Sequence, residues 1–85
     1  MNATLYGKPN CQGCTATGRW LDKRGLKAGR DYTYIDMSED REALAAVQEM
    51  GHNQAPVFVL TSKENGAVVD HWSGFRPDRL EQVIS

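Results

Sequence analysis

At 85 residues, with 40% hydrophobic and 25% charged side chains, the chain suits one domain, residues 1–85, with a small core. A net charge of −1 leaves no basic footprint for nucleic acid or an anionic membrane surface. The longest wholly apolar run, Ala55–Leu60, is far short of a membrane span, and the opening MNATLYGKPN has neither a basic leader nor an apolar secretory core. The expectation is a monomer in the cytoplasm, where thiols stay reduced and a stable structural disulfide is unusual.

Thr4-Leu5-Tyr6 reads as a first strand, ended by Gly7 and the turn signal Pro9-Asn10. A helix is expected from Cys14 to about Arg24, with Trp20 and Leu21 as its apolar contribution and Gly25 as its stop. Gly18 inside it costs roughly 1 kcal/mol relative to alanine. Asp31–Met37, DYTYIDM, has the aromatic and β-branched content of a strand. Ser38 then caps a second helix with Glu39 and Asp40 in its first turn; Ala43, Leu44, Val47 and Met50 form one face, and Gly51 closes it. After Pro56 comes VFVL, an unalternating run typical of a strand buried on both faces. Asn65-Gly66 reads as a two-residue hairpin turn into Ala67–Trp72. Pro77 suits a first helical position, and Leu80, Val83 and Ile84 line a short last helix.

The order β-α-β-α-β-β-α predicts a parallel pair from the early βα units and an antiparallel edge from the hairpin. An α/β architecture follows: a mixed sheet covered by helices on both faces.

The chemistry concentrates in KPNCQGC, Lys8–Cys14, which holds both cysteines of the chain. Three readings of the pair stand on the residues alone. As a structural bridge it closes a loop so short that the entropic gain is only about 2 kcal/mol. As a zinc site it needs His52 and His71, yet eighteen residues lie between those histidines, where finger patterns have three to five. As a redox dithiol it needs Cys11 at a helix N-terminus, where the dipole, worth ~0.3–2 kcal/mol, lowers a thiol pKa near ~8.5 by up to about 1.5 units. Lys8 is placed to add positive charge, and Cys14, one turn on, shares the face needed to resolve a mixed disulfide. Gln12-Gly13 leaves room for a protein to approach the sulfur. Ala55-Pro56 precedes the buried strand, either as an ordinary strand-starting proline or as a cis bond turned towards the sulfurs.

Four stretches, KPNCQGC, Thr15–Gly25, Gln54–Val59 and His71–Leu80, resemble the NrdH redoxins, and WSGFRPD, Trp72–Asp78, is the most specific of them. The resemblance implies a thioredoxin fold, a four-stranded mixed sheet flanked by three helices. It also implies that Pro56 is a cis-proline, that Cys11 is the nucleophile, and that Cys14 resolves. No metal or bound cofactor is implied beyond a redox-active Cys11–Cys14 disulfide. The partners implied are thioredoxin reductase, which passes electrons from NADPH, and ribonucleotide reductase, which accepts them. Where glutathione-binding glutaredoxins carry a Gly-Gly pair and an acidic or hydroxyl residue, this chain has Ser73-Gly74-Phe75-Arg76, which argues against glutathione. Trp72 divides between core packing and partner contact; Phe75 is expected at the surface near the dithiol, and Arg76 is expected to tie its loop to a nearby carbonyl or carboxylate. Gln12-Gly13 departs from the larger residue and glutamine usual in the family. The alternatives are a glutathione-dependent glutaredoxin and, from another class, a zinc-binding or adaptor module using the CxxC pair.

Overall fold

The computed structural model describes residues 2–84. Four strands, β1 (Asn2–Gly7), β2 (Thr33–Asp36), β3 (Val57–Thr61) and β4 (Val68–Ser73), form one sheet in the order β2-β1-β3-β4. β1 runs parallel to β2 with Thr4 opposite Thr33, and antiparallel to β3 with Leu5 opposite Phe58; β4 adds antiparallel to β3. The helices are α1 (Gln12–Lys23), α2 (Arg41–Glu49) and α3 (Pro77–Ile84). This is the thioredoxin-like arrangement. Among the described residues no helix is long and apolar enough to cross a membrane.

The VFVL run divides between two cores because successive side chains of a strand point to opposite faces. Phe58 and Leu60 join Leu5, Leu21, Trp72 and Leu80 beneath α1 and α3. Val57 and Val59 join Met37, Ala43 and Val47 beneath α2. Burial on both faces fits the interior place of β3, between β1 and β4.

Three local expectations about the helices are corrected. α1 starts at Gln12 rather than Cys14, because the Cys11 side chain itself caps the helix by accepting the Cys14 N–H. Asp40, not Ser38, caps α2, its Oδ1 accepting the Ala43 N–H at 3.0 Å. Ser38 is drawn away by Asp36, to whose Oδ1 it donates its N–H at 2.9 Å and its hydroxyl at 2.6 Å. Leu44 stays 40% exposed, so the buried face of α2 is Ala43 and Val47, with Met50 packed alongside.

The connection from β3 to β4 is longer than a two-residue turn. Ser62 donates its N–H to the Ala67 carbonyl at 2.9 Å, Gly66 donates to the Ser62 carbonyl at 2.9 Å, and Asn65 Oδ1 accepts the Ala67 N–H at 3.0 Å. A two-residue Asn-Gly turn of the usual kind requires positive φ at both residues. Here Gly66 has φ 72°, but the one non-glycine with positive φ among the described residues is Asn10. The register also shifts between Leu60 and Thr61.

Candidate functional site

β1 ends at Gly7, and Asn10, in the left-handed region at φ 56°, turns the chain into α1. Cys11 follows in extended backbone (φ −118°, ψ 109°) as the N-cap. Its Sγ accepts the Cys14 N–H at 3.2 Å, and its carbonyl accepts the Thr15 N–H at 3.1 Å and hydroxyl at 3.2 Å. Cys11 and Cys14 are paired as a disulfide, with Cα atoms 5.2 Å apart. Exposure separates the two sulfurs' residues: Cys11 is half-buried, whereas Cys14 is only 8% accessible. An incoming partner therefore meets Cys11.

Three segments converge behind this pair. The Ala55–Pro56 bond is cis, and Pro56 is fully buried. A Cβ placed on Gly13 would lie 2.9 Å from Pro56 Cδ and 3.9 Å from the Phe75 nitrogen. Glycine is what lets the helix start come this close to the proline ring. The third segment is locked to the second, since the Gly74 N–H donates to the Pro56 carbonyl at 2.8 Å and Ser73 pairs with Val57. Gly74 makes that bend at φ 85°.

The remaining residues singled out by sequence fall in different places. Trp72 belongs to the core: it is 5% exposed, stacks on Phe58 with centroids 5.2 Å apart, and carries the Arg79 guanidinium 4.8 Å above its ring. Arg79 is held there by Asp70 at 2.6 Å. Of the two roles left open for Trp72, core packing and partner contact, burial gives it the first. Phe75 is 37% exposed, one residue past the Gly74–Pro56 hydrogen bond. Arg76 forks onto the Asp78 carboxylate at 3.2 and 3.1 Å, which holds that carboxyl below its ordinary pKa. The carboxylate partner expected for Arg76 thus comes from the first turn of α3 itself.

Lys8 is exposed and borders a groove on the α2 side with Ser38, Leu44, Gln48, Gln54 and Ala55. The groove that opens on Cys11 holds a different cation, Arg19, with Asn10, Gln12, Thr15 and Ala16. Arg19 was missed in the sequence. Its signal was helical spacing: from Gln12, positions 15, 16 and 19 fall at i+3, i+4 and i+7.

Metal-ligand geometry does not assemble around the cysteines. His52 and His71 meet each other instead, Nε2 to Nδ1 at 2.7 Å with the rings nearly perpendicular. Burial, then the neighbouring His71, pushes the His52 pKa down. Among the described residues no three His, Cys, Asp or Glu side chains gather in a way that would hold a metal ion.

Comparison with known proteins places these features in a lineage. Residues 3–63 match the glutaredoxin family. The glutaredoxin-like protein NrdH of Escherichia coli is 31% identical over 83 residues, covering 98% of this chain and 89% of that one. The Salmonella typhimurium protein of the same name is 28% identical over the same shares. The solved structure of E. coli NrdH-redoxin superposes with a TM-score of 0.79 at 29% identity, covering 100% of this chain and 97% of the other.

Proposed function

The chain belongs to the glutaredoxin family and is an NrdH-like redox protein with a CxxC pair, and from that premise we propose that it is a dithiol electron carrier of the cytoplasm, reduced by thioredoxin reductase and oxidised by ribonucleotide reductase. The observation that carries the reading is the unequal exposure of two sulfurs one helical turn apart, Cys11 at the N-cap and Cys14 8% accessible behind it.

In the forward direction the Cys11 thiolate attacks one sulfur of a target disulfide, forming a mixed disulfide and expelling the other target sulfur as a thiolate. The Cys14 thiolate then attacks Cys11 Sγ, closing the intramolecular disulfide and releasing the second target sulfur. Two electrons leave the protein and no metal or bound cofactor is required. Selection of Cys11 as nucleophile follows from access and charge. Free N–H groups at the helix start favour an anion, and a hydrogen bond to the charged form lowers its pKa. The Cys14 N–H already points at Cys11 Sγ, and no acidic residue occupies the first turn to oppose a thiolate. A thiol pKa brought near ambient pH gives the fastest exchange.

Reductase preference rests on the segment after β4. Gly74 is committed to Pro56, Phe75 is partly exposed with its backbone nitrogen 3.9 Å from a Cβ placed on Gly13, and the Arg76 guanidinium is taken up by Asp78. Phe75 and an Arg76 held on Asp78 stand where glutathione-binding relatives carry a small, acceptor-rich stretch. The solved relative from E. coli is described by its thioredoxin-like activity profile, which supports the same preference.

The test is NADPH consumption in two mixtures with insulin as the disulfide substrate. One contains thioredoxin reductase; the other contains glutathione and glutathione reductase. Turnover is expected with thioredoxin reductase alone and lost in Cys11→Ser, after which ribonucleotide reductase is the acceptor to assay. Turnover with glutathione alone would make the protein a glutathione-dependent glutaredoxin. Inactivity in both, with stoichiometric zinc in the purified protein, would move the CxxC pair to a ligand role.

A further inference from the structure

We infer that the groove opening on Cys11 seats an extended segment of the redox partner, and that Arg19 docks an acidic side chain of that segment close to its disulfide cysteine. The inference rests on Cys11 being the attacking thiol. It adds the chemistry of the chain that is attacked.

The groove is one stripe of α1. Gln12, Thr15, Ala16 and Arg19 follow Cys11 along the same helical face, and Asn10 closes the near end. Its floor makes few polar demands. Thr15 turns its hydroxyl onto the Cys11 carbonyl, and Ala16 contributes only a methyl. A backbone can therefore run along it without desolvating a charge.

Arg19 sits at the far end with its charge uncommitted. Among the described residues, five of the ten cations are engaged, Arg24 with Glu81, Lys27 with Asp22, Arg30 with Asp31, Arg76 with Asp78 and Arg79 with Asp70; of the five that are not (Lys8, Arg19, Lys23, Arg41 and Lys63), Arg19 alone lines the groove that holds Cys11. Arg24, one turn and a residue further along the helix, also lies over the Trp20 ring at 4.1 Å. Arg19 has no carboxylate within 4 Å, is exposed, and shares its groove with no Asp or Glu. A guanidinium in the same groove as a redox sulfur, with no other charged side chain lining it, complements an anion. Guanidinium also has the fork that a carboxylate fits.

The spacing follows from helix geometry. Eight residues at 1.5 Å each put Arg19 Cα about 12 Å along α1 from Cys11, and side chains on a helix lean back towards its N-terminus. Extended chain advances about 3.3 Å per residue. The acidic residue of the partner thus stands two to four positions from the cysteine under attack.

The test uses reduced protein and two synthetic peptides, each carrying its single cysteine as a 2-thiopyridyl mixed disulfide. They differ only in Asp or Asn three residues from that cysteine, and thiopyridone release is followed under single-turnover conditions. An exposed ion pair changes rates by about two- to fivefold. The wild-type protein is expected to favour the Asp peptide by that factor at low salt, with the ratio falling towards one at high salt. Arg19→Gln removes the preference and Arg19→Glu reverses it. Because each protein serves as its own reference, a general loss of activity leaves the ratio readable. A wild-type ratio of one, or an Asp preference that survives in Arg19→Glu, overturns docking while leaving electron transfer intact. Failure of wild-type protein to react with either peptide overturns the redox reading and the docking with it.

Discussion

Adding a single methyl at Gly13 probes the closest approach in the site. The Cβ of Gly13→Ala would stand 2.9 Å from Pro56 Cδ, a separation that forces one of the two to move. Pro56 has little freedom to yield, since its ring is fully buried and its carbonyl is bonded to the Gly74 N–H. Overpacking of this kind costs about 1–3 kcal/mol. Against it stands the gain from replacing a helical glycine, about 1 kcal/mol. The net expectation for Gly13→Ala is a loss of about 0–2 kcal/mol. Gly18 supplies the control within α1: a Cβ there meets nothing within 4 Å, so Gly18→Ala should give the helix gain alone. Urea unfolding of both oxidised variants measures the two, and their difference, about 1–3 kcal/mol, is the contact with Pro56. In thermal terms each kcal/mol is about 4–8 °C for a domain of this size. Equal stabilisation in both variants would refute the reasoning, because it would mean that the proline ring does not constrain position 13.

Two further outcomes test other parts of the structure. The His52 pKa is lowered in the fold, so the unfolded chain takes up its proton first; stability is fully present above the unfolded value, about 6.5, and declines as pH falls below it. Urea midpoints between pH 7.5 and 5 should show that decline in the wild type and a shallower one in His52→Asn; parallel curves would exclude His52 as the source. At the start of α2, Asp40→Ala should cost about 1 kcal/mol through loss of the cap to Ala43, whereas Ser38→Ala, which touches only Asp36, should change stability by under about 0.5 kcal/mol. The reverse ranking in thermal denaturation would restore Ser38 as the cap.

Features set by neighbours in sequence were the legible ones. The CxxC pair and its helix, the doubly buried β3, and α3 from Pro77 each follow from a pattern within one segment. The second cap was misplaced because Ser38 and Asp40 are both competent, and the choice between them falls to the Asp36 carboxylate. Asn65-Gly66 carried a turn signal that the register shift after Leu60 overrode. Residues joined only by the sheet left no local trace. His52 meets His71 because the chain returns through β3 to β4, and Trp72 is buried because β4 sets it against Phe58 while Arg79 and Asp70 close over it. Arg19 is intermediate: its place in the groove follows from helical spacing, but only once Cys11 is known to be the N-cap.

The most specific motif of the chain is therefore mostly scaffolding. Trp72 anchors the end of β4 in the core, Ser73 completes the pairing with Val57, and Gly74 bends the chain while bonding the Pro56 carbonyl. Arg76 and Asp78 clip the entry to α3, whose Leu80 is fully buried. Five residues thus fix the position of the sixth, Phe75, which remains partly exposed with its backbone nitrogen 3.9 Å from a Cβ placed on Gly13, between the two cysteines. An exposed aromatic held on a rigid loop loses little conformational entropy when a partner covers it, so its apolar area contributes almost undiminished to binding. Arg19 lies along α1 from Cys11, in the groove that the two residues share. A protein seated over the disulfide then meets an apolar contact on one side and a cation on the other.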